Sequence, residues 1–193
     1  RNDGDGTFSD MTLEALPHTP WYSMGANEAD LNNDGLLDFM GSDMMGTNHF
    51  RQKVGMGNMS KNAWFLDHAQ PRQYMRNAVY LNTGTGRFNE VAFLTGLAAT
   101  DWTWSIKFGD LDCDGREDVF ISTGMSRDWF NSDLRNQEEA IIRSRGQAAG
   151  QAFWNDKKPL ALKNWAFRNE GDLKFSNAGK DWGLNEESVS YGT

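Results

Sequence analysis

The sequence repeats itself at a fixed distance, and that distance constrains the fold more than any other feature. Asp30-Leu-Asn-Asn-Asp34-Gly35-Leu-Leu-Asp38 returns as Asp110-Leu-Asp-Cys-Asp114-Gly115-Arg-Glu-Asp118, a shift of 80 positions. Asn2-Asp-Gly-Asp-Gly-Thr-Phe8 returns with the same shift of 80 as Asn82-Thr-Gly-Thr-Gly-Arg-Phe88, and a third copy, Asn169-Glu-Gly-Asp-Leu-Lys-Phe175, lies 87 further on. NAVYLN (77–82) is matched by NWAFRN (164–169), and TGL (95–97) by WGL (182–184). In the first two copies the phenylalanine precedes the first acidic residue of the loop by 22 positions, which puts a third loop near position 197, just past Thr193. The chain is therefore expected to be a mature piece or a fragment of a longer, repetitive protein.

Each unit reads as short strands and tight turns. FMGS after Asp38, VFIS after Asp118, NAVYLN and NWAFRN are β-prone runs, and NTGTG and NEGD are hairpin turns in which glycine supplies positive φ. A further strand follows each turn, RFNEVA and LKFSNA, and TWSIKFGD enters the second acidic loop. About four strands per unit is the content of a propeller blade. The expected fold is all-β, a partial β-propeller of two to three four-stranded blades, with 20 glycines against 4 prolines in keeping with many turns. Blade repeats fall near 1–40, 77–123 and 164–193, and helical insertions between blades fall at 41–76 and 124–163. In the second insertion DLRNQEEAIIRSRGQAAGQAFW predicts a surface helix, and in the first NMSKNAWFLDHA is a weaker helical stretch.

The acidic loops carry the chemistry. A hard cation takes several oxygens, and a tight loop turns its alternate side chains inward while glycine permits the sharp bend. The candidate ligands are Asp30, Asn32, Asp34, the Leu36 carbonyl and Asp38 in the first loop. In the second they are Asp110, Asp112, Asp114, the Arg116 carbonyl and Asp118. Calcium suits a flexible set of many oxygens better than magnesium does. Two bound Ca²⁺ would move the formal charge from −8 to −4. Four carboxylates against three make the second loop the expected tighter site. An EF-hand is excluded, because its twelfth position, a bidentate glutamate, is Gly41 in one loop and Ile121 in the other. A dockerin-type module is excluded too, since strand-like residues rather than a helix follow each loop. Isolated glycine turns with solvated carboxylates are the poorer reading, because two copies stand at identical phase. The cation's expected role is structural, as the loop fills its own coordination shell and implies no open position.

Other classes of function find little support. A net charge of −8 without a basic patch argues against nucleic acid, and no apolar run reaches the roughly 20 residues of a membrane span. The single cysteine, Cys113, makes no internal disulfide and has no histidine near it in sequence. His18, His49 and His68 show no metal spacing and read as surface or loop residues. The methionines of SDMMGTNHFRQKVGMGNM are irregularly spaced, which favours packing over a copper site. Trp21, Trp102 and Trp104, just upstream of the acidic loops, read as packing between blades. Trp64, Trp129 and Trp154 belong to the insertions and are the better candidates for a binding surface.

ADLNNDGLLDF and GDLDCDGREDVF, joined with N-x-x-Y-x-N-x-G-x-G-x-F units, resemble FG-GAP/VCBS repeats, the blades of integrin-like β-propellers. QYMRNAVYLNTGTGRFNEVAFLTGLAATDWTWSIKFGDLDCDG and FRNEGDLKFSNAGKDWGLNEESVSYG resemble the bacterial ASPIC/UnbV branch, which is similar to cartilage acidic protein. The resemblance implies a calcium-stabilised propeller, typically of seven blades, in an exported bacterial protein that is periplasmic, cell-surface or secreted. It also implies a non-catalytic binding, adhesion or scaffold role, with a protein or glycan ligand and the remaining blades of a longer chain as partners. Extracellular calcium modules bind with Kd on the order of 10⁻⁴ to 10⁻³ M, too weakly for cytosolic calcium, which agrees with export. A polysaccharide-active propeller enzyme and a structural subunit of a surface assembly are the alternatives; no catalytic constellation is visible in the sequence.

Overall fold

The computed structural model describes residues 1–55 and 68–192. In chain order, helix α1 (Thr12–Ala15) and strands β1 (His18–Pro20), β2 (Ala26–Ala29), β3 (Asp38–Gly41) and β4 (Met44–Met45) lead to helix α2 (His49–Gly55). Next among the described residues come β5 (Arg72–Tyr74), β6 (Ala78–Asn82), β7 (Phe88–Glu90), helix α3 (Ala92–Thr95), β8 (Asp101–Gly109) and β9 (Asp118–Thr123). Helices α4 (Ser132–Arg145) and α5 (Gln147–Phe153) precede β10 (Leu162–Lys163), β11 (Trp165–Asn169), β12 (Phe175–Asn177) and β13 (Glu187–Ser188).

Two antiparallel sheets dominate. The first runs β2-β3-β6-β7 and the second β12-β11-β9-β8-β4. Each acidic loop closes the first hairpin of its sheet: Ala29 lies opposite Asp38 and Gly109 opposite Asp118. The glycine-rich turn that follows in sequence closes the second hairpin of the same sheet. The sequence repeat and the sheet are thus offset, because the turn at 82–88 belongs with the acidic loop at 30–38. Both insertions accordingly join the second strand of a sheet to its third. Sequence spacing fixes the period of a repeat but not which hairpins pair.

Strands β7 and β12 are shorter than RFNEVA and LKFSNA suggest, and one local device ends both. Glu90 Oε1 accepts from the Ala92 N–H at 2.9 Å and starts α3, while Asn177 Oδ1 accepts from Gly179 N–H at 3.0 Å. Asp10 does the same for Thr12 N–H at 2.9 Å, so this bond from a side chain to the N–H two residues on recurs in all three copies. The predicted surface helix breaks in two at Gly146, whose φ of 87° a residue with a Cβ rarely adopts. Asn131 caps its start, its side chain accepting from the N–H groups of Asp133 and Leu134.

The main core lies between the two sheets. Met40 and Val79 from the first meet Ile106, Val119, Ile121 and Phe167 from the second, with Leu31 of the first acidic loop among them. Each fully buried side chain of this kind contributes roughly 1.5–3 kcal/mol. The sheets approach closely enough that a Cβ on Gly25 would sit 2.6 Å from the Trp104 carbonyl oxygen. Asn27 bridges them, its Oδ1 accepting from Phe108 N–H at 3.0 Å. Just beyond β3, the chain crosses to the second sheet, where β4 pairs with the start of β8 as a fifth strand. A second cluster of Met44, Trp102 and Met125 gathers around this crossing.

Two side chains depart from their sequence reading. Trp154, a candidate for a binding surface, is only 4% exposed and packs 4.5 Å from the Trp129 ring; Trp129 keeps 37% of its surface open. His18 is not a surface histidine but lies in β1, 9% exposed, against Glu90 and Arg76. Both are buried by partners distant in sequence. Trp64 and most of the helical stretch NMSKNAWFLDHA lie outside the described residues. Trp102 is buried in the second cluster with Met44 and Met125, which lie on or beside the same sheet, and Trp104 packs against it.

Candidate functional site

The two acidic loops fold by the same hydrogen bonds. The carboxylate of Asp30 accepts from the N–H groups of Asp34 (3.0 Å) and Gly35 (2.7 Å), and that of Asp110 accepts from Asp114 and Gly115, both at 2.9 Å. Asp34 Oδ1 accepts from Leu36 N–H and Asp114 Oδ1 from Arg116 N–H. The bend needs two left-handed residues, one on each side of the third acidic position: Asn33 and Gly35 flank Asp34 at φ 58° and 85°, and Cys113 and Gly115 flank Asp114 at 62° and 85°. Cys113 is exposed on the outside of its loop.

Asp38 and Asp118 stand at the base, fully buried. Each accepts at one oxygen from its own loop, Leu31 N–H or Leu111 N–H at 2.9 Å, and at the other from the start of the next turn, Asn82 N–H or Asn169 N–H at 2.8 Å. Burial pushes both carboxyls up, partly offset by these hydrogen bonds, and the neighbouring loop carboxylates raise them further.

The loops then diverge. Ligand atoms of Asp110, Asp112 and Asp118 lie within 4.8 Å of one another, a grouping of the kind that holds a metal ion. Asp112 Oδ1 is buried and has no hydrogen-bond partner among the described residues, whereas its Oδ2 accepts from Arg168 Nε at 2.7 Å. An unpartnered carboxylate oxygen facing two further carboxylates fits a hard cation. Asp114, the fourth predicted ligand, is instead paired with the Arg116 guanidinium. In the first loop the place of Asp112 is taken by Asn32, whose side chain bonds within the loop to Asp34. No three-acid grouping forms there among the described residues.

Residues 68–121 match the family model of the FG-GAP-like repeat. Over those residues the chain is similar to an FG-GAP-like repeat. The matched stretch contains β6, the turn at 82–88, β8 and the second acidic loop. FG-GAP repeats form propellers, and the two sheets are the blades of a partial β-propeller. No curated protein matches the chain significantly. No helix among the described residues is long and apolar enough to cross a membrane.

One cluster beside the FG-GAP-like repeat's turn escaped the sequence reading. His18 Nε2 lies 3.1 Å from Glu90 Oε2 and 2.8 Å from Arg76 Nη2, and Arg76 grips both oxygens of Glu90 at 2.6 and 2.9 Å. The Tyr74 ring stands edge-on to His18, and the Tyr80 hydroxyl donates to the His18 carbonyl at 2.7 Å. The three ionisable groups border a cavity of about 1050 Å³, walled by Pro17, Met75, Phe88 and Phe93. Burial pushes the Glu90 carboxyl up, but hydrogen bonds from His18, Arg76 and the Ala92 N–H outweigh it and hold the group well below the usual range. The residues lie at 18, 76 and 90 with no local spacing, so sequence carried no signal of their meeting.

Proposed function

We propose that the chain is a calcium-stabilised propeller module of an exported protein of the ASPIC/UnbV branch, and that it binds a protein or glycan rather than catalysing a reaction. The observation that carries the reading is the buried, unpartnered Asp112 Oδ1 beside Asp110 and Asp118. The cation would be held by Asp110, Asp112, Asp114, the Arg116 carbonyl and Asp118 in one loop, and by Asp30, Asn32, Asp34, the Leu36 carbonyl and Asp38 in the other. There it would supply countercharge to crowded carboxylates and rigidify the bends that close each sheet's first hairpin. FG-GAP repeats generally act as non-catalytic binding modules, which supports the binding role. Trp129, exposed on the second insertion, is the aromatic side chain we assign to partner contact.

A polysaccharide-active enzyme would draw on His18, Arg76 and Glu90 at the cavity. Both Glu90 oxygens are already held by partners and its carboxyl stays ionised, so it has no proton to donate; that favours a structural clamp.

Calorimetric titration and thermal melting of the chelator-stripped protein test the calcium reading, with magnesium as control. Calcium is expected to release heat and raise the melting temperature, by about 2.7 kcal/mol of stability per site at a hundredfold excess over Kd. Absence of both heat and shift with calcium overturns the reading.

A further inference from the structure

The calcium reading ranks the two loops by their carboxylates, but the cations around them differ as well. In the second loop the Arg168 guanidinium holds Asp112 Oδ2 at 2.7 Å and lies over the Trp182 ring, 5.2 Å from its centroid. Arg116 pairs with Asp114 and anchors its own Nε on the Asn169 carbonyl at 2.8 Å. Two fixed guanidinium groups therefore stand against four carboxylates. By the repeat, Leu36 occupies the place of Arg116 and Leu81 the place of Arg168. Among the described residues no cation pairs with Asp30, Asp34 or Asp38, so three carboxylates share the first loop without countercharge.

We infer, resting on the proposed calcium reading, that the second loop carries its own countercations and keeps its shape without metal, while the first loop depends on the cation for order. Counting carboxylates ranks the second loop as the stronger site. Counting the arginines as well reverses the order of net charge, since a residual formal charge of −2 stands there against −3 in the first loop. The guanidinium groups also repel an incoming divalent ion across a partly solvated gap.

Amide exchange, read residue by residue by NMR on the full chain with calcium and with excess chelator, separates the loops. The N–H groups of Asp34, Gly35 and Leu36 are expected to exchange at least about tenfold faster on chelation, and those of Asp114, Gly115 and Arg116 to change by less than about threefold. Replacing both arginines by the first loop's residues, Arg116→Leu with Arg168→Leu, makes the second loop as metal-dependent as the first. Should that pair not fold, Arg168→Leu alone gives the same direction. Equal acceleration in both loops of the unaltered protein overturns the inference and leaves the calcium reading standing. A second loop still indifferent to chelator in the leucine variants also overturns it. No response of either loop to calcium overturns both.

Discussion

The side-chain amide of Asn169 donates to the carbonyl of Leu31 at 3.0 Å, tying the last turn of the second sheet to the first acidic loop across 138 residues. Asn169 also donates to the Glu117 carbonyl at 3.1 Å and accepts from Gly171 N–H at 3.0 Å, and it is 1% exposed. A second bond, Asn33 Nδ2 to the Gly115 carbonyl at 3.1 Å, joins the two acidic loops directly. The asparagine that opens each glycine turn thus does more than shape the turn.

Asn169→Ala should lower stability by roughly 2–4 kcal/mol, because several buried partners lose their bonds at once. Asn82→Ala, whose side chain serves only its own sheet through Leu37 and Gly84, should cost about 1 kcal/mol. Urea denaturation of the two variants measures the difference; equal losses would show that the cross-sheet bond contributes nothing.

Glu90 makes the fold acid-sensitive. Its carboxyl is held below the ordinary glutamate value of about 4.3, so the unfolded chain takes up the proton first as pH falls. The stabilisation is complete above about pH 4.3 and is lost progressively below it, towards the lowered folded value. Glu90→Gln should flatten the acid limb of the melting curve. At neutral pH it should cost on the order of 3 kcal/mol by leaving Arg76 buried beside a neutral amide.

Asp43 works in the opposite sense. Burial pushes its carboxyl up to about 6, although the N–H groups of Met44, Tyr22 and Trp21 all point at it. The folded state therefore binds the proton more tightly than the unfolded one, and stability falls as pH rises from about 4 to about 6. Compared by urea melts, the native protein should lose stability relative to Asp43→Asn as pH rises from 4.5 to 6.5. A relative gain over that range contradicts the assignment.

The interface between the sheets should tolerate neither extra nor missing volume. Gly25→Ala drives a methyl group into the Trp104 carbonyl and should cost about 1–3 kcal/mol. Ile121→Ala opens a cavity among fully buried neighbours and should cost about 2–5 kcal/mol. Both are measured by chemical denaturation, and the losses should be nearly independent of calcium.

What could be read in the sequence was what the chain writes locally. Nearly every bond that shapes an acidic loop links residues two to seven apart, so Asp30, Asp34 and Asp38, and their counterparts, announce the bend by spacing alone. The asparagine–glycine turns are legible for the same reason. Arg168 on Asp112 joins residues 56 apart, and His18 on Glu90 residues 72 apart; no periodicity encodes either. The burial of Trp154 depends on Trp129 folding back over it, and the assignment of hairpins to sheets depends on excursions whose paths sequence does not specify.

The second insertion leaves the ladder at β9 and re-enters it at β11, and those two strands lie side by side when it returns. Its covalent thread is therefore redundant once the ladder has formed. A protease nick at the exposed joint beside Gly146 would yield a two-chain species that migrates intact on a native gel and separates only in denaturant.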